Sequence, residues 1–264
     1  MSTGTRAAQQ EWQDWREWRA AKVSRPYGPL ALTGTHWLAD HPDGRIEGLP
    51  GRWTEDGDQV VLRTGAGDRL TVDGAPPAGE VRLGQDGAAE RARVAWGERR
   101  LPVLRREGLW AVRDYDPDAA ARRAFAGIEV YAYDARWVRP GLFRPYPQGR
   151  TVRVPNADGQ RRGLGLAGEL AFTLDGDEHT VQAAVEADGS LWAVFADTTS
   201  GGESYRFRFL RPPAPAEDGT VTVDLNRVVL PPCAFADHFI CPFPPPGNTL
   251  PFALRAGERD LRTR

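Results

Sequence analysis

Short runs of alternating apolar and polar residues recur along most of the chain, and they predict β-strands. Side chains alternate between the two faces of a strand, so this period of two indicates one buried face and one solvated face. Asp-Gly dipeptides, which are typical of tight hairpin turns, separate several of the runs: Asp73-Gly74, Asp86-Gly87, Asp175-Gly176 and Asp188-Gly189. The pattern predicts a mainly β fold, an antiparallel barrel or sandwich of many short strands with an N-terminal amphipathic helix and one short internal helix.

The N-terminal helix is predicted over residues 8–24. Tryptophan recurs there at every third position, as Trp12, Trp15 and Trp18, with charged residues between. We expect the three indoles to form one stripe that is covered by a sheet, because a large exposed aromatic patch is a liability. The alternative is an aromatic platform for a ligand.

The short internal helix is predicted near residues 117–125, with Asp116 as its N-cap and Pro117 at its first position. Farther on, residues 139–150 contain three prolines and two glycines, which interrupt regular structure. We predict a single β-rich domain over residues 1–264, with a possible internal seam at 139–150.

Composition restricts the possible partners. The 264 residues include 34 Lys and Arg against 36 Asp and Glu, a net charge of −2, so the basic surface of a nucleic-acid-binding protein is not expected. No apolar run reaches the roughly 18 residues of a membrane helix, and the N-terminus has no apolar signal core. We therefore expect a cytoplasmic protein with no nucleic-acid or membrane partner. The sequence identifies no cofactor, and it leaves the oligomeric state open.

Two C-terminal runs carry the candidate chemistry. In the first, alternation places Tyr205 on one face and both Arg206 and Arg208 on the other; in the second, Asp224 and Asn226 share a face. If the two strands pair, an arginine faces Asp224 or Asn226 and the polar stripe forms a pocket for an anion, since guanidinium binds carboxylate or phosphate in a fork. If the stripe faces outward, it is an ordinary solvated face.

The candidate site residues follow from this arrangement. Arg208 is the predicted anion anchor, Asp224 its partner or a general base, and Asn226 an orienting hydrogen-bond group. The predicted catalytic residues are Asp224, Glu258 and Asp197, and the predicted ligand-binding residues are Arg206, Arg208, Asn226, Tyr205 and Asn248. No metal site is predicted.

The segment PPCAFADHFICPFPPPGN, residues 231–248, contains both cysteines of the chain. Cys233 and Cys241 could bind a metal with His238 and Asp237, but the spacing matches no common zinc site. A cysteine nucleophile activated by His238 and a disulfide are two further alternatives, the disulfide being disfavoured in the cytoplasm. We favour a fourth, in which two buried thiols pack as small apolar groups in a proline-braced loop.

Several motifs resemble a known bacterial family, domain of unknown function 1684. They are Asp197-Thr-Thr-Ser-Gly, Arg208-Phe-Leu, Asp224-Leu-Asn226, Pro231-Pro-Cys233-Ala-Phe, Cys241-Pro-Phe-Pro-Pro-Pro-Gly-Asn248 and Ala256-Gly-Glu258, with Arg113-Asp114 and Phe125-x-Gly127 farther back. The resemblance supports the fold and implies no particular reaction. The chain departs from the family at Val229, Leu230 and Gly247, where the family has polar side chains. If the family's polar side chains at these positions belong to an active site, this chain is inactive or uses a different ligand. If they only hydrogen-bond backbone groups of the loop, their replacement leaves the activity intact.

Two functions are consistent with these residues. The first is an enzyme or former enzyme that binds a small anionic metabolite in a polar pocket built by the C-terminal strands. The alternative is a non-catalytic β module that binds a small ligand or a protein partner. A metal-dependent hydrolase using the cysteines or His238 and His179 ranks last, because the chain has no HxxxH or HxH pair.

Overall fold

The structure is a computed structural model that describes residues 3–65 and 67–264. Antiparallel β-strands make up most of its regular structure, with one long N-terminal helix and one short internal helix, which confirms the predicted fold class. The chain divides into two compact units, one of Met1–Ala20 with Ala126–Arg264 and one of Ala21–Phe125. No helix in the described residues has the length and apolar character needed to cross a membrane.

The described elements have the following bounds. The helices are α1 (Thr3–Val23) and α2 (Ala120–Ala124). The first nine strands are β1 (Leu32–Trp37), β2 (Arg52–Asp56), β3 (Gln59–Arg63), β4 (Leu70–Val72), β5 (Glu80–Leu83), β6 (Val94–Trp96), β7 (Arg99–Arg100), β8 (Val103–Arg106) and β9 (Leu109–Tyr115). The others are β10 (Phe125–Val130), β11 (Val138–Pro155), β12 (Arg161–Leu174), β13 (Asp177–Val185), β14 (Leu191–Phe195), β15 (Arg208–Leu210), β16 (Thr220–Asp224) and β17 (Glu258–Thr263).

The unit of residues 21–125 contains two sheets. Its six-stranded sheet has the order β1-β9-β7-β6-β4, with β8 also paired to β9, and its three-stranded sheet has the order β2-β3-β5. Apolar side chains on the inner faces of these strands, with Trp53, Leu62 and Leu83 fully buried, form one core. The helix α2 begins later than predicted. Its N-cap residue is Ala119 and not the predicted Asp116. Asp116 instead accepts a hydrogen bond from the backbone nitrogen of Asp118, and so it caps the turn before the helix.

The unit that contains residues 126–264 is built on a six-stranded antiparallel sheet of order β15-β14-β13-β12-β11-β16. The sheet curls into a half-barrel with β15 and β16 as its edge strands, a partial form of the predicted barrel or sandwich. Asp175 and Gly176 join β12 to β13 with φ of 51° and 98°, the left-handed conformation that a two-residue hairpin turn requires. The predicted seam at 139–150 lies inside the long strand β11, where the register with β12 shifts between Pro145 and Arg150. A single domain over 1–264 stays a prediction.

The tryptophans of α1 do not share one environment. Trp12 is 4% exposed, whereas Trp18 is 51% exposed, so the predicted common stripe is wrong. A helix turns through about 100° per residue, so a spacing of three places each successive indole about 60° farther round the helix. Trp12 therefore anchors the helix, and Trp18 points away from the surface that Trp12 contacts.

Candidate functional site

Arg208 lies on the edge strand β15 and is completely buried. Its Nη1 donates to the carbonyl oxygens of Ala256 and Glu258 at 2.7 and 3.1 Å, and its Nη2 donates to the carbonyl of Leu254 at 2.8 Å. Leu254 and Ala256 lie in the segment 253–257, which belongs to no strand, so their carbonyls need partners other than a β ladder. The guanidinium supplies those partners and attaches the C-terminal segment to the edge of the sheet.

Asp197 is the ionic partner of Arg208. Its Oδ2 accepts from Nη2 of Arg208 at 2.7 Å, and neither side chain is exposed. Its Oδ1 accepts from the backbone and hydroxyl of Thr199 at 2.8 and 2.7 Å, and from the backbone of Leu254 at 3.2 Å. Both carboxylate oxygens are therefore used to hold the loop after β14 against the C-terminal segment.

Asp224 is not the partner of Arg208. The strands β15 and β16 lie at opposite edges of the sheet, so the two polar runs do not pair, and the alternative in which they face each other is not formed. The physical reason is that β15 pairs with β14 while β16 pairs with β11, which brings neighbouring sequence runs to different edges. Asp224 instead accepts from the backbone and side-chain nitrogens of Asn226, both at 3.0 Å, and pairs with Arg227 at 3.2 Å.

Asn226 and Asn248 act as substitutes for backbone peptide groups. The Asn226 amide accepts from the backbone nitrogen of Asp134 and donates to its carbonyl, both at 3.1 Å. The Asn248 amide does the same with Gln182, at 2.8 and 2.9 Å, and also donates to the carbonyl of Val194 at 2.8 Å. Gln182 lies on β13 and Val194 on β14, and the pairing of these strands covers only residues 184–185 and 191–192. Asn248 thus fills the gap where the two strands diverge.

Glu258, 1% exposed, lies where β17 begins and joins three segments of the chain. Its Oε1 accepts from Nε of Arg19 at 3.0 Å, and its Oε2 accepts from the backbone nitrogen of Leu230 at 2.7 Å. Burial raises the pKa of the Glu258 carboxyl, and the charge and hydrogen bond of Arg19 oppose that shift. The Arg19 guanidinium also donates to the carbonyl of Leu230 at 3.1 Å, so it holds α1 against this loop.

Tyr205 and Arg206, the remaining predicted residues, lie beside the cysteines. The Tyr205 hydroxyl donates to the carbonyl of Cys233 at 3.1 Å and lies 3.6 Å from its sulfur. Burial is the main cause that raises the pKa of Tyr205, followed by the hydrogen bond with Cys233. The exposed Arg206 guanidinium lies 4.7 Å from the centre of the Phe243 ring. The structure therefore gathers Tyr205 and Arg206 at Cys233, away from the other predicted residues.

The cysteine segment is a loop attached to the sheet by its backbone. Among the described residues, no group of three or more His, Cys, Asp or Glu side chains is arranged to hold a metal ion. At the positions where the chain departs from the family pattern, Val229 exchanges two backbone hydrogen bonds with Phe209, and Leu230 is fully buried. Gly247 has φ of 93°, a conformation that favours glycine.

A cleft of about 550 Å³ lies between α1 and the β10–β17 ribbon. Its polar lining consists of Gln13, Arg16, Glu17, Glu258 and Arg262. Sequence analysis identified only Glu258 among these residues. Arg16 could have been found from the sequence, because it lies three residues before Arg19 on the predicted helix and residues at this spacing share one face. Arg262 could not be found, because only the pairing of β17 with β10 brings it to the cleft.

These contacts define the class of protein: a mainly antiparallel β protein whose buried polar side chains complete the hydrogen bonding where strands end or separate. Residues 123–259, about half of the chain, match the family described as "Protein of unknown function (DUF1684)", and the chain belongs to that family. The predicted resemblance is thereby confirmed.

One solved structure with a related sequence is that of an uncharacterised protein of Haloarcula marismortui, determined by solution NMR. It is 30% identical over 51% of this chain and 77% of that chain, with a TM-score of 0.43. No curated protein matches the chain.

Proposed function

We propose that the unit containing β10–β17 binds a small anionic metabolite in the cleft between α1 and the β10–β17 ribbon, and that its role there is binding rather than turnover. The observation that carries the proposal is an excess of positive charge in this cleft. Arg16 and Arg262 both line it, and the buried carboxylate of Glu258 is already paired with Arg19. The carboxylate of Glu17 is therefore the one other negative charge among the lining side chains to balance the two guanidinium groups.

Both arginines are held in position before any ligand arrives. The guanidinium carbon of Arg16 lies 4.7 Å from the centre of the Trp12 ring, a cation–π distance. Nε and Nη2 of Arg262 donate to the carbonyl of Ala126 at 3.3 and 3.0 Å. Preorganised guanidinium groups lose less entropy when they bind, and their planar donors fit carboxylate or phosphate oxygens.

A binding role fits the state of the residues that sequence analysis put forward as catalytic. Asp197 and Glu258 are 5% and 1% exposed, and both oxygens of each carboxylate accept hydrogen bonds from the protein. A general base needs an open lone pair within reach of a substrate proton. Their predicted catalytic roles stay predictions, and the proposed binding does not require either residue to act as a base.

The test is a calorimetric titration of the purified chain with phosphate, citrate, a dicarboxylate and a nucleoside monophosphate, at low and at physiological salt. We expect one class of anion to bind, and Arg16→Gln and Arg262→Gln each to weaken it by about 10- to 100-fold, the value of one charge-assisted hydrogen bond. Arg255→Gln is the matched control, since Arg255 is an exposed arginine paired with Glu203 outside this cleft.

Equal weakening in the control variant would mean that binding is only non-specific attraction, which salt also removes. Absence of binding by every anion would reject the proposal and favour a module that binds a protein partner.

A further inference from the structure

The two cysteines of the chain, eight positions apart, meet inside the fold. The backbone nitrogen of Cys233 donates a hydrogen bond to the sulfur of Cys241 at 3.3 Å, which brings the Cys241 thiol beside Cys233. They are 3% and 6% exposed and are not joined by a disulfide. The loop therefore contains a paired dithiol.

Separate parts of the fold hold the two sulfur atoms together. The residues around Cys241 are bound to the turn after β11: Ala157 donates to the carbonyl of Cys241 at 2.9 Å, and the Asn156 amide donates to that of Ile240 at 2.8 Å. Cys233 is held on its other side by the Tyr205 hydroxyl. These contacts attach Cys241 and Cys233 to different parts of the fold.

The surroundings of Cys233 favour its thiolate. The hydrogen bond from the Cys241 thiol is the main cause that lowers the pKa of Cys233 to about 7, and Tyr205 and Arg206 add to it against the effect of burial. A buried cysteine in apolar surroundings has a raised pKa and is inert. Here the Tyr205 hydroxyl lies 3.6 Å from the Cys233 sulfur, and the combined effect of this hydroxyl, the Cys241 thiol and the Arg206 charge outweighs the loss of solvation.

We propose that Cys233 and Cys241 form a redox-active pair that reduces hydrogen peroxide, with Cys233 as the attacking sulfur, Cys241 as the resolving sulfur and Arg206 as a positioning residue. Hydrogen peroxide suits this site because the sulfur atoms are nearly covered and the oxidant must be little larger than water. The exposed Arg206 side chain, whose charge acts on Cys233, is the part of this site that faces solvent.

The reaction balances with one peroxide. The Cys233 thiolate attacks one peroxide oxygen and becomes a sulfenic acid, while the O–O bond breaks and the departing hydroxide takes a proton to become water. The Cys241 sulfur then attacks Sγ of Cys233; the S–O bond breaks, and the oxygen leaves as a second water with the Cys241 proton. The protein loses two hydrogen atoms and gains one disulfide. Two equivalents of a low-molecular-weight thiol regenerate the dithiol by exchange.

The test uses the full chain, reduced and freed of reductant, with equimolar hydrogen peroxide and intact-mass spectrometry. We expect the wild type to lose 2 Da. Cys241→Ser should instead gain 16 Da as a sulfenic acid that dimedone traps at Cys233, and Cys233→Ser should react about tenfold or more slowly at pH 7. The chain has only two cysteines and one methionine, so peptide mapping separates oxidation of Met1 from that of the cysteines.

Arg206→Gln tests the site without altering either sulfur atom. We expect the rate of the wild type to rise with pH through a midpoint near the Cys233 pKa of about 7, and Arg206→Gln to move that midpoint upward. Arg255→Gln should keep the wild-type profile. The proposal is wrong if the native dithiol oxidises no faster than the urea-unfolded chain, if Cys233→Ser reacts as fast as the wild type, or if Arg206→Gln leaves the midpoint unchanged.

Discussion

Nη2 of Arg208 donates a 2.7 Å hydrogen bond to Oδ2 of Asp197, and both side chains are excluded from solvent. Transfer of two charges from water to the interior costs several kcal/mol each, roughly, and their attraction and hydrogen bonds must repay that cost. Arg208 also donates to three backbone carbonyls, and Asp197 accepts three further hydrogen bonds. These additional hydrogen bonds help to offset the cost of burying the pair. It organises the C-terminal segment rather than a reactive centre.

Removal of either member of this pair should be strongly destabilising. We expect Arg208→Met to lower the free energy of unfolding by about 3–5 kcal/mol, because it leaves the Asp197 carboxylate buried without its counter-ion. Adding Asp197→Ala to Arg208→Met should restore part of the loss. The control Arg255→Met breaks the exposed pair with Glu203 and should cost less than about 1 kcal/mol. Urea unfolding measures all four proteins, and a loss below about 1 kcal/mol in Arg208→Met would contradict this account.

Asn248→Asp tests whether Asn248 replaces backbone pairing between β13 and β14. The substitution keeps the shape but turns the nitrogen that donates to Gln182 and Val194 into an acceptor facing two carbonyl oxygens. We expect a loss of about 3 kcal/mol or more at pH 7, because the site is fully buried. Protonation of the new carboxyl supplies a donor, so unfolding experiments should show the loss shrinking as the pH is lowered. A loss that does not change with pH would argue against the hydrogen-bond explanation.

Glu258 should make stability depend on pH. Because burial raises its pKa in the folded protein, the folded state binds more protons than the unfolded state between the ordinary value of 4.5 and the raised one. The contribution of this group to the unfolding free energy is therefore present at low pH and is lost as the pH rises through the raised pKa. We expect the stability of the wild type relative to Glu258→Gln to fall as the pH rises above the ordinary value of 4.5.

The matched control for this pH dependence is Glu203→Gln. Its hydrogen bond with Arg255 lowers the pKa of the exposed Glu203, so the corresponding difference should rise with pH. A rise for Glu258 as well would show that Arg19 and the Leu230 amide outweigh burial.

Two tryptophans of α1 provide a comparison within one helix. Nε1 of Trp12 donates to the carbonyl of Asn226 at 2.9 Å in a buried site. Trp12→Phe should cost about 1 kcal/mol for the lost hydrogen bond, plus the loss of packed area. Trp18→Phe should change stability by no more than about 0.5 kcal/mol, since half of Trp18 is exposed. Thermal and chemical unfolding of both variants would show whether α1 is anchored chiefly through Trp12.

Gly127 tests how Arg262 is held in the cleft. An added Cβ at Gly127 would lie 2.9 Å from Nη2 of Arg262, and φ there is 138°. Gly127→Ala should displace the guanidinium and weaken anion binding several-fold in the titration proposed above. A variant that binds as tightly as the wild type would indicate that Arg262 does not contact the anion.

Local chemistry decides the elements that the sequence predicts correctly. Alternating runs predict the strands, and the Asp175-Gly176 dipeptide predicts a turn that the structure confirms, because the left-handed backbone is a property of those two residues. The prediction for Trp18 is wrong because a three-residue spacing turns each successive side chain about 60° farther round the helix. Asp224 does not meet Arg208 because runs that are neighbours in the sequence lie at opposite edges of the sheet.

The sequence by itself determined the fold class, the family and the residue types available for chemistry, since strand period, turn residues and motif spacing are local properties. Only the tertiary structure decided which charges meet. The partner of Arg208 depends on the strand order, which is a long-range property, and so do the pairing of Glu258 with Arg19 and the entry of Arg262 into the cleft. Ionic attraction acts over a few ångströms in space. Along the chain, however, Asp197 and Arg208 are 11 positions apart, and Arg19 and Glu258 are 239 positions apart.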